Sequence, residues 1–119
     1  MITPYAAEYE IRRGDAFSGV SFRFLSSEGA SFWDNFVVKA QIRATPDGTL
    51  LHEFDLTDAA VTDESGVGVL TVPLEIEPAD TADFDPGKYV GDMELTSDSF
   101  PKSTVVVMKV SVFRDVTRA

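Results

Sequence analysis

Apolar and polar side chains alternate one by one in segment after segment of this chain, and a period of two belongs to strands with one face buried. In the run Phe17 to Leu25, Val20, Phe22 and Phe24 fall opposite Ser21 and Arg23. Phe36, Val38, Ala40 and Ile42 stand opposite Lys39, Gln41 and Arg43, and Leu70, Val72, Leu74 and Ile76 opposite Val69, Thr71, Pro73 and Glu75. The last third carries two such runs in succession. Pro86-Gly87 opens the first, with Tyr89, Gly91, Met93 and Leu95 inward; Val106, Met108, Val110 and Val112 line the second.

The connections fit the same pattern. Thr45-Pro46-Asp47-Gly48 supplies a turn, because proline presets φ and glycine accepts φ > 0, and it predicts a hairpin onto Thr49 to Leu56. Pro73 cannot donate to a ladder, which places its amide at a sheet edge or a bulge. Pro78 suits the first position of a single helical turn within Glu77 to Phe84, bridging two sheets. A short strand at Glu8 to Arg12 brings the total to about seven. The expected fold is all-β, an immunoglobulin-like antiparallel β-sandwich, with Tyr89 placed to bond upstream backbone as in a tyrosine corner. Residues 1–119 form one domain, with an ordered core over about 8–116.

Composition excludes several function classes. There is no cysteine, so disulfides, thiolate metal sites and cysteine nucleophiles are absent. The net charge is −10; Asp47 to Pro101 holds fourteen acids against the one base Lys88, and the rest of the chain six acids against nine bases. No concentrated basic footprint for nucleic acid results. Met1 to Glu10 has neither the basic nor the apolar region of an export signal, so a protein outside membranes is expected.

Candidate chemistry is sparse. His52 is the one histidine and lies in a strand pattern, with no nucleophile-elbow motif around any serine, so no catalytic residue is assigned. Gly87-Lys88 lacks the spacing of a phosphate loop. No cofactor is expected. Asp80, Asp83 and Asp85 are the calcium candidates, with Asp58, Asp63 or Glu64 as further oxygen donors, but the spacing is not that of an EF-hand and a solvated acidic loop is the favoured reading. Arg13-Gly14-Asp15 spells an integrin ligand and reads better as a turn. In the loop Ser26 to Asn35, Phe32 and Trp33 are the interaction candidates: Trp33 either caps one end of the core or anchors a protein or sugar partner.

The run from Ile11 to Arg118 resembles small β-sandwich domains of tailed bacteriophages, similar to the N-terminal domain of baseplate upper proteins and related tail or neck accessory proteins. The features that carry this are Ile11-Arg12-Arg13-Gly14-Asp15, the Gly66 to Leu74 strand, Thr81 to Asp92 with its Pro86-Gly87-Lys88-Tyr89 entry, and the closing Asp115-Val116-Thr117-Arg118. The chain departs from longer baseplate proteins in having no coiled-coil or receptor-binding extension after Arg118. The resemblance implies a non-enzymatic virion structural protein assembled in the host cytoplasm, with other virion proteins or further copies of itself as partners. It brings no catalytic residues. The alternative is a carbohydrate-binding or adhesion module stacking sugars on Trp33, Phe32 and Tyr5; a third reading is a calcium-stabilised accessory domain of a secreted enzyme.

Overall fold

A computed structural model describes residues 3–114 of the 119. Two sheets face each other across one core. The larger takes β1 (Tyr5–Arg12), β8 (Ser103–Phe113), β7 (Gly87–Thr96), β3 (Val37–Arg43) and β4 (Leu50–Glu53), in that order; the smaller takes β2 (Phe17–Ser26), β6 (Val67–Ile76) and β5 (Ala60–Glu64). The all-β sandwich expected from the alternation is the fold found. Asp115 to Arg118, part of the phage-like pattern, and the end of the expected 8–116 core lie outside the described residues.

The alternation sets the layers. Leu70, Val72, Leu74 and Ile76 from β6 meet Ala40, Ile42, Met93, Val106 and Met108 from the larger sheet, and each is at most 3% exposed. Burying the Leu, Val, Ile and Met side chains among these stabilises the fold by about 1.5–3 kcal/mol apiece. Arg23 and Lys39, on the opposite parity, reach solvent.

Two departures from the sequence reading have local causes. The described residues contain eight strands; the one not anticipated, β5, is polar and mostly exposed because it forms a sheet edge. It is joined to β6 by a two-residue turn, Ser65-Gly66, both at positive φ (55° and 88°), the backbone twist that tight hairpins need. The second departure is β1, which pairs with β8 in parallel over eight residues, from Tyr5 opposite Val106 to Arg12 opposite Phe113. All the other pairings are antiparallel.

Several turn expectations match the geometry. Gly48 N–H donates to the Thr45 carbonyl at 2.9 Å and closes the β3–β4 turn. β5 stops opposite Thr71, so Pro73 sits where β6 has a neighbour on one side alone. The helical turn α1 (Pro78–Thr81) carries proline at its start and links the smaller sheet to the larger. The Tyr89 hydroxyl donates to the Asp85 carbonyl at 2.6 Å, tying the entry of β7 to the loop before it.

Candidate protein-interaction face

Trp33 decides the first question about function. It ends a 3-10 turn (Ala30–Trp33), is 4% exposed, and donates its indole N–H to the Gly68 carbonyl at 3.1 Å. Its ring packs against Phe32, Phe100 and Phe24 at centroid distances of 4.8, 5.7 and 6.5 Å. Of its two readings, Trp33 takes that of a core cap. A side chain so enclosed has almost no face to offer a partner, so its packing lends the anchor reading no support. Phe32 is half-buried in the same aromatic cluster. Tyr5 is 64% exposed and leans edge-on against Phe22, so the three rings do not form one sugar platform.

Asp80, Asp83 and Asp85 lie exposed on and after α1, and among the described residues no group of three or more His, Asp or Glu is placed to hold a metal ion. His52 faces the core, edge-on to Phe54 at 5.1 Å and Phe84 at 5.8 Å. Burial pushes its pKa below the usual imidazole value, against the opposing pull of Asp80. Around it lies a cleft of about 610 Å³ with Glu53, Asp55, Asp58, Glu75, Glu77 and Asp80 on its walls, and no nucleophile is hydrogen-bonded to the ring among the described residues.

Arg13-Gly14-Asp15 is a clamped turn. Arg13 Nη2 donates to the Ala82 carbonyl at 2.9 Å, Gly14 N–H to the Thr81 hydroxyl at 3.1 Å, and that fully buried hydroxyl donates to the Asp15 carbonyl at 2.7 Å. Gly14 holds φ at 83°. Folding also lays basic segments on the acidic middle of the chain: Arg23 meets both carboxylate oxygens of Glu64 at 2.8 and 3.0 Å, and Lys102 lies 3.8 Å from Glu94. The contrast between acidic middle and basic ends is therefore partly consumed inside the domain.

What remains is the outer face of the five-stranded sheet. Strand register fixes its rows. One runs Ala6, Val107, Asp92, Gln41, Glu53 across the five strands; the next runs Glu8, Lys109, Val90, Arg43, Leu50. A groove of about 550 Å³ lies over them, and Pro46 from the β3–β4 turn contributes to its wall. Four of the six exposed large apolar side chains, Val37, Leu50, Val107 and Phe113, stand on this face. It carries five bases (Arg12, Lys39, Arg43, Lys88, Lys109) and five acids (Glu8, Glu10, Glu53, Asp92, Glu94), so it is neutral, and the whole −10 lies elsewhere on the chain.

Two groups on the face are held unequally. Arg43 is anchored, donating to the Gly48 carbonyl and to Gln41 Oε1, each at 2.9 Å. Asp92 has no hydrogen bond or ion pair from its carboxylate among the described residues. Burial raises its pKa above the usual carboxylate value, Glu94 adds to the rise, and Arg43 opposes it. The sequence reading missed this face, because an outer row exists only once the register of five strands is known.

No protein-family model and no curated protein matches the sequence. Among solved structures 55 chains match. One is a family 123 glycoside hydrolase from Clostridium perfringens, studied for glycolipid glycan hydrolysis, to which this chain is similar at 18% identity and a TM-score of 0.46 over 96% of its own length. The chain spans 24% of that protein, and a likeness of this size says nothing of activity here.

Proposed function

We propose that this chain is a non-enzymatic structural subunit of a phage or prophage virion, in the tail, neck or baseplate, that works by docking to other proteins through the outer face of its five-stranded sheet. One observation carries the docking part: the chain's net charge is −10, yet this face is neutral and holds four of its six exposed large apolar side chains. The four are spread along the face and do not join in one patch, so the contact they fit is a mixed one, with apolar side chains set among paired charges. Charge balance there lets an acidic body approach a partner without carrying its repulsion into the contact. The virion setting is supported by the resemblance of Ile11 to Arg118 to small tail and baseplate sandwiches.

Catalysis gains no support, since the His52 ring packs edge-on against Phe54 and Phe84 and, among the described residues, no hydroxyl or carboxylate of the cleft is hydrogen-bonded to it. Sugar binding loses its best ring to the interior. The test is electron microscopy of purified virions carrying a tagged copy of the chain. Label at one fixed position on the particle is expected; tagged protein that is expressed but missing from particles overturns the virion reading.

A further inference from the structure

We infer that the outer face of the five-stranded sheet binds a second copy of this chain, about a two-fold axis that runs across the strands between the Val107 and Lys109 rows. The inference names a first partner for the docking face proposed above and rests on that reading. Sheets that stack face to face keep their strands within roughly 30° of alignment, which leaves two axes in the plane of the contact. An axis along β7 keeps each row on itself, so it would lay Glu8 of β1 over Leu50 of β4, a carboxylate on an apolar side chain, and set Lys109 of β8 against Arg43 of β3, cation on cation.

The axis across the strands does the opposite. It puts each strand over its own counterpart, reversed, so the row containing Asp92 meets the row containing Val90. Val90 is flanked by Lys109 on β8 and Arg43 on β3. The carboxylate of Asp92, which has no hydrogen bond or ion pair among the described residues, then lies between two cations of the other copy. Further out along β7, the same axis places Lys88 of each copy opposite Glu94 of the other, because Lys88 sits one outward position beyond Val90 and Glu94 one beyond Asp92. Val107 and Val90 supply apolar contact near the axis.

The area is sufficient for a dimer of modest strength. Five strands spaced about 4.8 Å apart and about eight residues long give a face of roughly 600 Å² per copy, or about 1,200 Å² in all, the lower end of specific interfaces. The charge of −10 on each copy falls outside the contact.

Sedimentation velocity on the full chain, whose monomer mass is 13.0 kDa, tests this. The wild type is expected to reach twice that mass with a Kd of roughly 10–100 μM. Lys88→Glu and Glu94→Lys each weaken the dimer by about tenfold, since symmetry counts the pair twice, and the double variant restores it. Both positions are on the surface, and circular dichroism checks that each variant is folded. A chain monomeric to about 500 μM, a dimer indifferent to both single variants, or singles with no rescue by the double overturns the inference. A monomer that still labels virions refutes the homotypic contact and leaves the virion reading standing; a rescued dimer missing from virions does the reverse.

Discussion

Gly68 is the position where one added carbon should cost most. It lies in β6 beneath the 3-10 turn, and a Cβ there would overlap the Gly29 carbonyl oxygen and come within 2.8 Å of Ala30 N. Both obstacles are backbone, so a rotamer change cannot relieve them. Gly68→Ala must lift the 3-10 turn, which strains packing by about 1–3 kcal/mol and lengthens the Trp33 hydrogen bond to the Gly68 carbonyl, a further loss of about 1 kcal/mol. Alanine restricts the unfolded chain and returns about 0.4–1 kcal/mol. The net loss is about 2–3 kcal/mol. For 119 residues this lowers Tm by about 8–12 °C. Trp33 is the one tryptophan, so urea unfolding followed by its fluorescence reads both stability and the local environment. Gly66→Ala is the control: its φ is 88° with nothing within 4 Å, so backbone strain alone costs about 1 kcal/mol and native Trp33 emission stays unchanged. A Gly68→Ala protein no less stable than Gly66→Ala, or one with unaltered emission, refutes the reasoning.

Three more expectations follow from single contacts. Tyr89→Phe removes the bond to the Asp85 carbonyl and should lower Tm by about 4 °C, from a loss of about 1 kcal/mol, in a calorimetric scan. His52 has a folded pKa below the 6.5 of the free side chain, so the unfolded chain takes up its proton first as pH falls; stability should decline from pH 6.5 down to the folded pKa, and His52→Gln should flatten that part of the curve. Asp92 has its folded pKa raised above 3.8, so stability is lost as pH climbs through the window from 3.8 to the folded value. Asp92→Asn should therefore raise Tm slightly at pH 7 and make no difference below pH 3.8, measured at protein concentrations that keep the chain monomeric.

Where a strand was buried on one face, its residues announced it: the inward sets of β2, β3, β6, β7 and β8 were all legible from alternation. β5 was not, because an edge strand with Asp63 and Glu64 exposed needs no apolar period, and its tight turn used Ser65 in place of the Asn or Asp that usually marks such a hairpin. The parallel placement of β1 was hidden for another reason. Tyr9 and Ile11 face inward whichever way β1 runs, so pattern alone cannot fix its direction. Trp33 was equally balanced between two roles until the Gly68 carbonyl appeared beside its indole. The interaction face was invisible for the most general reason: Glu8, Lys109, Val90 and Arg43 are scattered along the sequence and become one row only through three separate strand pairings.

The parallel pairing of β1 with β8 has a mechanical consequence. Their shared direction puts Tyr5 and Phe113 at opposite ends of the eight-residue ladder that joins them. Tension applied at those two ends pulls the strands past each other lengthwise, so the hydrogen bonds along eight paired residues resist together and none can be peeled away first. An antiparallel pair held at neighbouring ends would instead open like a zipper, bond by bond. Force applied at Tyr5 and Phe113 therefore loads the β1–β8 ladder in shear, the geometry in which its hydrogen bonds share the strain.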